Sequence, residues 1–234
     1  MADAEVDWDD PSRVDRWVER DAGRSVLNAA RELAVALVGL EAEPAVVVEL
    51  AGGAGTFLGE FLDAFPSAQG LWSDSSGEME RHARTALSRH AHRVDYLRAD
   101  MRDPGLARAS ADVVVCARAT HSLDPAELAP FYREVAGILR PGGWLVNLDH
   151  MAVADPWGER YDRVTARFYD QSDKSGPVKT KKRGSHAIQD HVTALAAAGL
   201  SQVATPWQLL STVLLLARTG PPQAGPRQTG QIHG

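Results

Sequence analysis

The chain has little cysteine, and this scarcity excludes two kinds of site. Cys116 is its only cysteine, so neither an internal disulfide nor a cysteine metal cluster can form. Its setting in the run Val113-Val-Val-Cys-Ala117 predicts a buried thiol that fills core. There is no run of about 18 or more apolar residues, and no basic segment followed by an apolar one at the N-terminus. We therefore expect a cytoplasmic protein with no membrane contact.

Lysine is confined to one short stretch. All four lysines of the chain lie in residues 174–183, and the net charge is −6. This charge gives no general attraction to nucleic acid or to an anionic membrane. Two interpretations of the lysine stretch stay open: a solvated lid, or a surface that attracts an anionic acceptor or RNA.

Length and composition indicate one globular enzyme domain. The chain has 234 residues, of which 44% are hydrophobic and 24% are charged. This length is enough to bury the core of one α/β domain. We predict a single domain over residues 1–219, with helices in residues 1–42, an inserted lid at 151–184 and a disordered tail at 220–234. The expected partner is a small molecule.

Short apolar runs alternate with stretches of helical spacing along the chain. Predicted strands lie at 45–50, 69–74, 94–98, 112–116 and 144–148, and a closing hairpin lies at 202–208 and 211–217. Predicted helices start at Asp10-Pro11 and near residues 25, 55 and 78, after Asp124-Pro125, and at Ser185. A turn at Arg140-Pro-Gly-Gly143 is predicted to precede the strand at 144–148. Such alternation implies right-handed crossovers and a mostly parallel sheet with helices on both faces.

The strand at 45–50 turns at once into a glycine-rich loop that ends at Gly55. Glycines allow the backbone to approach a bound nucleotide closely and to adopt positive φ. Counted from Gly53, a dinucleotide fingerprint requires glycine where this chain has Leu58. A phosphate-binding Walker loop is also missing, because no Gly-Lys-Ser or Gly-Lys-Thr occurs. The loop therefore predicts a nucleotide-type ligand and disfavours a nicotinamide oxidoreductase.

Acidic residues follow several predicted strands. Glu49, Asp74 and Asp100 come at the ends of the first three strands, residues 118–121 follow the fourth, and Asp149 and His150 follow the fifth. Ligands of open α/β sheets bind outside the carboxyl ends of the strands, where the strand order reverses. We therefore predict a binding edge at which Asp74 accepts the hydroxyls of a ribose. A helix cap is the alternative for Asp74, a surface charge for Glu49 and a turn residue for Asp100.

The order of these motifs resembles that of the class I S-adenosylmethionine-dependent methyltransferases. The resemblance rests on Glu49-x-Ala51-x-Gly53-x-Gly55, on Asp74, on Asp100-Met101 and on Leu139-Arg-Pro-Gly-Gly-Trp-Leu145. Ala51 stands where that family usually has glycine. The likeness covers residues 45–150 and extends more loosely to 217. It implies a doubly wound α/β fold, a seven-stranded sheet whose last strand is antiparallel, S-adenosylmethionine as cofactor, and methyl transfer.

The resemblance also implies roles for individual residues. Glu49 would organise the loop and the methionyl amino end, and Asp74 would hold the ribose. Asp100 would lie at the adenine amino group with Met101 against the ring. The implied cofactor contacts are Glu49, Ala51, Gly53, Gly55, Asp74, Ser75, Asp100, Met101 and Arg118.

Two histidines are candidates for a catalytic base. A base that removes a proton from an oxygen or nitrogen acceptor contributes about 10² to 10⁴ in rate. His150 directly follows the fifth strand and is our first candidate, and His121, after the fourth strand, is the second. A core or substrate-lining histidine is the alternative for both. No metal is expected, because Asp149 and Asn147 have no further acidic cluster near them in the sequence.

The inserted segment offers aromatic and basic side chains for an acceptor pocket. Those predicted to line it are Tyr161, Arg163, Arg167 and Tyr169. Arg163 and Arg167 are one helical turn apart and would share a face.

The resulting hypothesis is methyl transfer from S-adenosylmethionine to an oxygen or nitrogen of a small molecule. Three alternatives stay open. The chain could bind the cofactor without transferring methyl, as a regulatory protein or a non-methylating enzyme. It could methylate RNA, which rests only on the lysine stretch, or it could be a nicotinamide oxidoreductase.

Overall fold

The computed structural model describes residues 7–22, 25–41, 43–169 and 185–220. Its helices are α1 (Pro11–Ala22), α2 (Ser25–Gly39), α3 (Thr56–Ala64), α4 (Gly77–Ala86), α5 (Leu128–Ile138), α6 (Trp157–Tyr169) and α7 (Ile188–Ala197). Its strands are β1 (Val46–Leu50), β2 (Gln69–Asp74), β3 (Val94–Arg98), β4 (Ala111–Ala117), β5 (Leu139–His150), β6 (Leu200–Leu209) and β7 (Thr212–Thr219). Short 3-10 turns cover Ser88–Arg93 and Thr120–Ser122.

The strands form one seven-stranded sheet in the order β3-β2-β1-β4-β5-β7-β6. Neighbours among β1 to β5 pair in parallel. β7 runs antiparallel to β5 on one side and to β6 on the other. The predicted fold class, including the antiparallel C-terminal hairpin, is confirmed.

Helices cover both faces of the sheet because successive strand residues point to opposite sides. Val113 and Val115 of β4 pack with α2 and α3, whereas Val114 and Cys116 pack with α5. Such a strand, buried on both faces, has a continuous apolar sequence without alternation. Cys116 is fully buried, which confirms its predicted place in the core.

Helix α1 starts with the capping contacts that the sequence predicts. The Asp10 carboxylate accepts the N–H of Ser12 at 3.0 Å, and Pro11 occupies the first helical position. At α5 the start is later than predicted, at Leu128, because Glu127 first accepts the N–H of Asp124 at 2.8 Å and closes a turn. Within the described residues, no helix has the length and apolar character that crossing a bilayer requires.

The predicted turn at 140–143 lies inside β5. Leu139 already pairs with Ala111, whereas the next pair joins Trp144 to Val113, so the intervening residues form an irregularity in the strand. The Arg140 guanidinium donates to the Asp112 carboxylate at 2.8 Å and fastens this irregularity to β4. The prediction was wrong in placing the turn before the strand, since β5 already begins at Leu139 and the turn residues interrupt its pairing.

The inserted segment begins with a helix that the sequence analysis did not predict. Residues 157–169 form α6, and the N–H groups of Trp157 and Gly158 in its first turn donate to the carbonyl of Ala154. The many charges of this stretch obscured its helical spacing. The rest of the predicted lid, with the lysine stretch, and the tail from 221 onward lie outside the described residues.

Candidate active site

The carboxyl ends of four strands meet at one edge of the sheet. The register pairs Leu50 with Ser73 and with Cys116, and Ala117 with Leu148. Residues that follow β1, β2, β4 and β5 therefore lie side by side. The chain order reverses between β1 and β4, since β2 and β3 lie on one side and β4 and β5 on the other. Such a switch point is the usual ligand crevice of an open α/β sheet.

The glycine loop between β1 and α3 packs closely against its neighbours. The Trp72 indole N–H donates to the carbonyl of Gly53 at 3.0 Å, and a Cβ on Gly52 would lie 2.6 Å from the same indole ring. Gly55 has a φ of +76°, and a Cβ there would lie 2.8 Å from a leucine side chain. These two positions require glycine, because a side chain there would collide with Trp72 or Leu87.

Ala51 keeps a backbone shape that glycine adopts more easily. Its φ is +50°, in the left-handed region. A residue with a Cβ is less stable there by roughly 1 to 2 kcal/mol. The alanine therefore preserves the path of the loop at the position where the resembling family has glycine, at a cost in strain.

Asp74 links β2 to the glycine loop. Its Oδ2 accepts the N–H of Gly53 at 2.9 Å, and its Oδ1 accepts the N–H of Ser76 at 2.9 Å. Ser76 itself caps α4 by accepting the N–H of Met79. Burial raises the pKa of Asp74, although the backbone hydrogen bonds oppose this shift. The carboxylate is half-buried at the edge, next to the exposed Ser75.

Glu49 lies buried beneath the loop. Its Oε2 accepts the N–H of Leu58, in the first turn of α3, at 3.2 Å. Burial raises the pKa of Glu49 to about 8, against the opposing effects of this hydrogen bond and of Arg31. A buried carboxyl without a close cation favours its neutral form. Much of Glu49 is therefore protonated near neutral pH.

The N-terminal helices complete this edge, a contact that the sequence analysis did not predict although it predicted the helices themselves. Asp21 of α1 binds Arg31 of α2 at 3.2 Å, and it also accepts a hydrogen bond from Arg118, just after β4. The Arg118 guanidinium lies 4.8 Å from the ring centre of Trp17. The Nε atoms of both arginines are buried and have no hydrogen-bond partner in the described part of the chain. The spacing of Trp17 and Asp21, four apart on one helix face, was the available signal.

Asp100 lies in a turn after β3. Its carboxylate accepts the backbone N–H of Arg102 at 2.8 Å and the guanidinium of the same residue at 3.0 Å. Met101 beside it is buried, and the N–H of Ala99 donates to the carbonyl of Asp74 at 3.1 Å. The stretch therefore lies next to Asp74, as the resemblance implies, whereas the adenine contact stays a prediction.

Asp149 and His121 form a hydrogen-bonded pair. Nδ1 of His121 lies 2.7 Å from Oδ1 of Asp149, which is fully buried. Oδ2 accepts the backbone N–H of His121 at 3.0 Å and the hydroxyl of Thr120 at 2.7 Å. Burial alone would raise the pKa of Asp149, but the hydrogen bond and charge of His121 and the hydrogen bond of Thr120 outweigh burial and hold the pKa well below its usual range.

This pairing fixes the hydrogen positions on His121. An ionised carboxylate only accepts hydrogen bonds, so Nδ1 carries a hydrogen in either charge state of the imidazole, and in the neutral ring Nε2 keeps its lone pair. The imidazole is 36% exposed at the edge of the sheet, where it can reach an acceptor. An exposed imidazole oriented by a buried carboxylate is the arrangement of a general base.

His150 lies beside the pair and is held by another element. Its Nδ1 lies 2.9 Å from the hydroxyl of Thr212 in β7, and its ring centre is 6.0 Å from that of His121. The sequence ranks His150 ahead of His121. His150 contacts Asp149 through its backbone N–H, whereas His121 contacts it through its ring, and the ring contact favours His121 as the base.

Part of the predicted acceptor pocket lies in α6. Tyr161 is half-buried, with its ring centre 6.0 Å from that of Trp157, and Arg163 is exposed. Arg167 and Tyr169 belong to the last turns of α6, and their side chains lie outside the described residues. Their role toward an acceptor stays a prediction.

Across residues 7–22, 25–41, 43–169 and 185–220, no group of three histidine, cysteine or acidic side chains is arranged to hold a metal ion. Asp149 binds His121 and Thr120, the role that the sequence analysis did not consider for it. The expectation of no metal stays a prediction.

Comparison of the sequence with known proteins gives one family match. Residues 47–143 match the model of a family described as a methyltransferase domain. This segment runs from β1 through the glycine loop to the start of β5. No curated protein sequence matches the chain.

Solved structures of methyltransferases share the fold. An O-methyltransferase family protein from Burkholderia thailandensis is 22% identical, with a TM-score of 0.63 over 93% of this chain and 65% of that protein. Human N-acetylserotonin methyltransferase, solved in complex with S-adenosylmethionine, is 17% identical, with a TM-score of 0.60 over 81% of this chain and 51% of the human protein. A methyltransferase dependent on S-adenosylmethionine from Aquifex aeolicus is 16% identical, with a TM-score of 0.60 over 89% of this chain and 97% of that protein. The chain thus spans between half and two thirds of the first two proteins.

Proposed function

We propose that this chain, a member of the class I S-adenosylmethionine-dependent methyltransferase family, transfers a methyl group to an oxygen or nitrogen of a small-molecule acceptor. The observation that carries the proposal is the pair of His121 and Asp149 at the ligand edge. A hydroxyl must lose its proton as it is methylated, whereas a neutral amine already presents a lone pair. A positioned base therefore favours oxygen as the acceptor atom. We expect the reaction to take place in the cytoplasm.

The residues of the edge fit S-adenosylmethionine, which supplies a methyl group already activated on a sulfonium. Asp74 offers a half-buried carboxylate to the ribose hydroxyls. The unfilled Nε donors of Arg31 and Arg118 fit the methionyl carboxylate. Buried Glu49 fits the methionyl amino group, since a bound cation would stabilise its ionised form. The remaining predicted contacts are Ala51, Gly53, Gly55, Ser75, Asp100 and Met101.

The protein's own groups then have a defined task. Asp149 stays ionised and holds the imidazole of His121 with Nε2 directed away from it. Nε2 would take the proton of the acceptor hydroxyl, whose oxygen would receive the methyl group that the sulfonium sulfur gives up. Holding the acceptor in line with the methyl carbon can contribute roughly 7 to 11 kcal/mol. The acceptor would be oriented by α6, through Trp157 and Tyr161.

Transfer of a radiolabelled methyl group tests this function. The full chain is incubated with methyl-labelled S-adenosylmethionine and a panel of small phenols and amines, and Kd for S-adenosylmethionine is measured by calorimetry. His121→Ala should lower kcat by about 10² to 10⁴ and leave Kd unchanged, because the base acts only on the acceptor. Asp74→Ala should weaken S-adenosylmethionine binding severely. His92→Ala, an exposed histidine of the 3-10 turn after α4, is the matched control and should match the parent protein.

Two results would contradict the proposal. If His121→Ala transfers methyl as fast as the parent protein, His121 is not the base. Tight S-adenosylmethionine binding without labelling of any acceptor would favour a binding or regulatory protein instead.

A further inference from the structure

A hydrogen-bonded network of buried polar side chains extends from Asp149 into the core. Its members are Thr120, Asn147, Tyr132 and His191, each at most 1% exposed. They come from the turn after β4, from β5, from α5 and from α7. Buried polar groups in such number are uncommon in a core and are costly when unsatisfied.

The contacts in this network assign a donor or an acceptor role to each polar group. The Tyr132 hydroxyl lies 2.6 Å from Nδ1 of His191, and the Asn147 amide donates to the Tyr132 oxygen at 3.2 Å. Burial lowers the pKa of His191 to about 4, so the imidazole is neutral and Nδ1 is available as an acceptor. Tyr132 therefore donates to His191 and accepts from Asn147.

The same reasoning decides to which acceptor the hydroxyl of Thr120 donates its hydrogen. The second amide hydrogen of Asn147 points to Thr120 Oγ1 at 3.2 Å. A hydroxyl has one hydrogen to give, and Asp149 Oδ2 lies 2.7 Å away, closer than the Asn147 carbonyl oxygen at 3.5 Å. The Thr120 hydroxyl therefore donates to Asp149.

We propose that Asn147 and Tyr132 are positioning residues for His121. They aim the Thr120 hydroxyl at Asp149 and thereby hold the Asp149 carboxylate in the orientation that keeps Nδ1 of His121 protonated and Nε2 free. This inference rests on the proposed function, in which Nε2 of His121 is the base. Neither residue touches the ligand edge, so both act through Thr120 and Asp149.

Contacts of the residues just before α7 tie the far end of the polar network to the same turn. The hydroxyl of Ser185 donates to the carbonyl of His121 at 2.8 Å, and Nε2 of His186 lies 2.9 Å from the carbonyl of Leu123. The ring of His186 packs edge-on against that of His191 at 5.7 Å between centres. The turn that carries Thr120 and His121 is therefore held from the β5 side and from the α7 side at once.

The test reads the hydrogen positions on His121 directly. The full chain is labelled with ¹⁵N-histidine, and its ring signals are recorded at a pH well above the usual histidine range. The signals of His121 are assigned by their loss in His121→Gln. Thr120→Val and Tyr132→Phe are compared with Thr120→Ser, which retains the hydroxyl.

We expect the parent protein and Thr120→Ser to show His121 with its hydrogen on Nδ1. Thr120→Val removes one donor to Asp149, and in Tyr132→Phe the Asn147 amide can turn and draw the Thr120 hydrogen away. Both should shift His121 toward a mixture of the two tautomers. Both should also lower kcat by about tenfold, the low end for loss of a hydrogen bond to a charged group, with Kd for S-adenosylmethionine unchanged.

An unchanged tautomer in Tyr132→Phe, accompanied only by a lower melting temperature, would overturn the proposal and leave the polar network a packing role. If Tyr132→Phe does not fold, Asn147→Leu, which removes both amide hydrogens, replaces it and is judged by the same criterion. The tautomer measurement requires neither cofactor nor acceptor. A tautomer shift without any methyl transfer would therefore refute the proposed function while supporting the positioning.

Discussion

Single residues at the ligand edge carry charge states that their surroundings impose. Glu49 and Asp149 are both fully enclosed acidic side chains, yet their pKa values move in opposite directions. Glu49 receives one backbone hydrogen bond, whereas Asp149 receives donors from His121 and Thr120. Burial prevails in the first case, and hydrogen bonding in the second. The two carboxyls therefore suit different tasks, one beside a cationic ligand group and one behind a base.

The raised pKa of Glu49 makes stability depend on pH. In the folded state its pKa is about 8, against an ordinary value of 4.5. Between these values the folded protein keeps a proton that the unfolded chain has released, so rising pH favours unfolding. The free energy of unfolding should fall through this window by at most about 1.4 kcal/mol per pH unit on account of Glu49.

Glu49→Gln should flatten this dependence in urea unfolding measured at a series of pH values. A smaller slope should persist, because burial also raises the pKa of Glu60 to about 7. Glu19→Gln, on the exposed side of α1, is the control and should keep the full slope. An equal slope in Glu49→Gln and the parent would contradict the assignment.

At the scale of elements, α1 covers the glycine loop. Its Trp17 ring would lie 3.4 Å from a Cβ on Gly53, in van der Waals contact with the loop. Asp15 binds Arg81 and His82 of α4, and Asp21 binds Arg118. The helix is thus fastened to the start of α4 and to the end of β4, across the edge where the cofactor is proposed to bind.

This placement predicts that α1 controls exchange of the cofactor. Trp17→Ala should speed dissociation of S-adenosylmethionine by roughly tenfold, since changes at a binding surface act mainly on the off-rate. Stopped-flow measurement of intrinsic fluorescence gives the rate. Glu19→Ala lies on the same helix, on its exposed side, and should leave the rate unchanged. Equal rates in Trp17→Ala and the parent would show that α1 does not restrict the cofactor.

At the scale of the whole molecule, one sheet joins both core clusters. Leu214 and Leu216 of β7 pack into one cluster and Leu215 into the other, so the C-terminal strand contributes to both faces. β7 also pairs with β5, whose end carries Asp149. The site and the core therefore share the same elements.

This architecture predicts one unfolding transition that the cofactor shifts as a unit. At about 100 times Kd, a ligand of the folded state adds about 2.7 kcal/mol to the free energy of unfolding. For a domain of this size, this corresponds to roughly 5 to 10 °C in Tm. Calorimetry should show a single transition that S-adenosylmethionine moves upward in the parent but not in Asp74→Ala. Two separate transitions would contradict the shared core.

Local chemistry accounts for what the sequence predicted well. The strand runs at 45–50 and 112–116 have continuous apolar character because both faces are covered, and this property is visible without coordinates. The glycine loop and Asp74 lie within one β-α-β unit, so their spacing along the chain fixes their meeting at the edge. The helix α6 was missed because its charged residues hid the helical spacing. The irregularity in β5 was missed because the contact that fastens it to β4, between Arg140 and Asp112, joins residues distant in sequence.

The sequence by itself determined the doubly wound sheet and the loop that begins its binding edge, because apolar patterning and glycine positions act over neighbouring residues. Only the tertiary structure decided which histidine has a carboxylate behind it. His121 and Asp149 are separated by 28 positions, and they meet because β4 and β5 pair in parallel. The same holds for Asp21 with Arg118, 97 positions apart, and for Tyr132 with His191, 59 apart. Such contacts depend on how elements pack, and no local property of the chain encodes them.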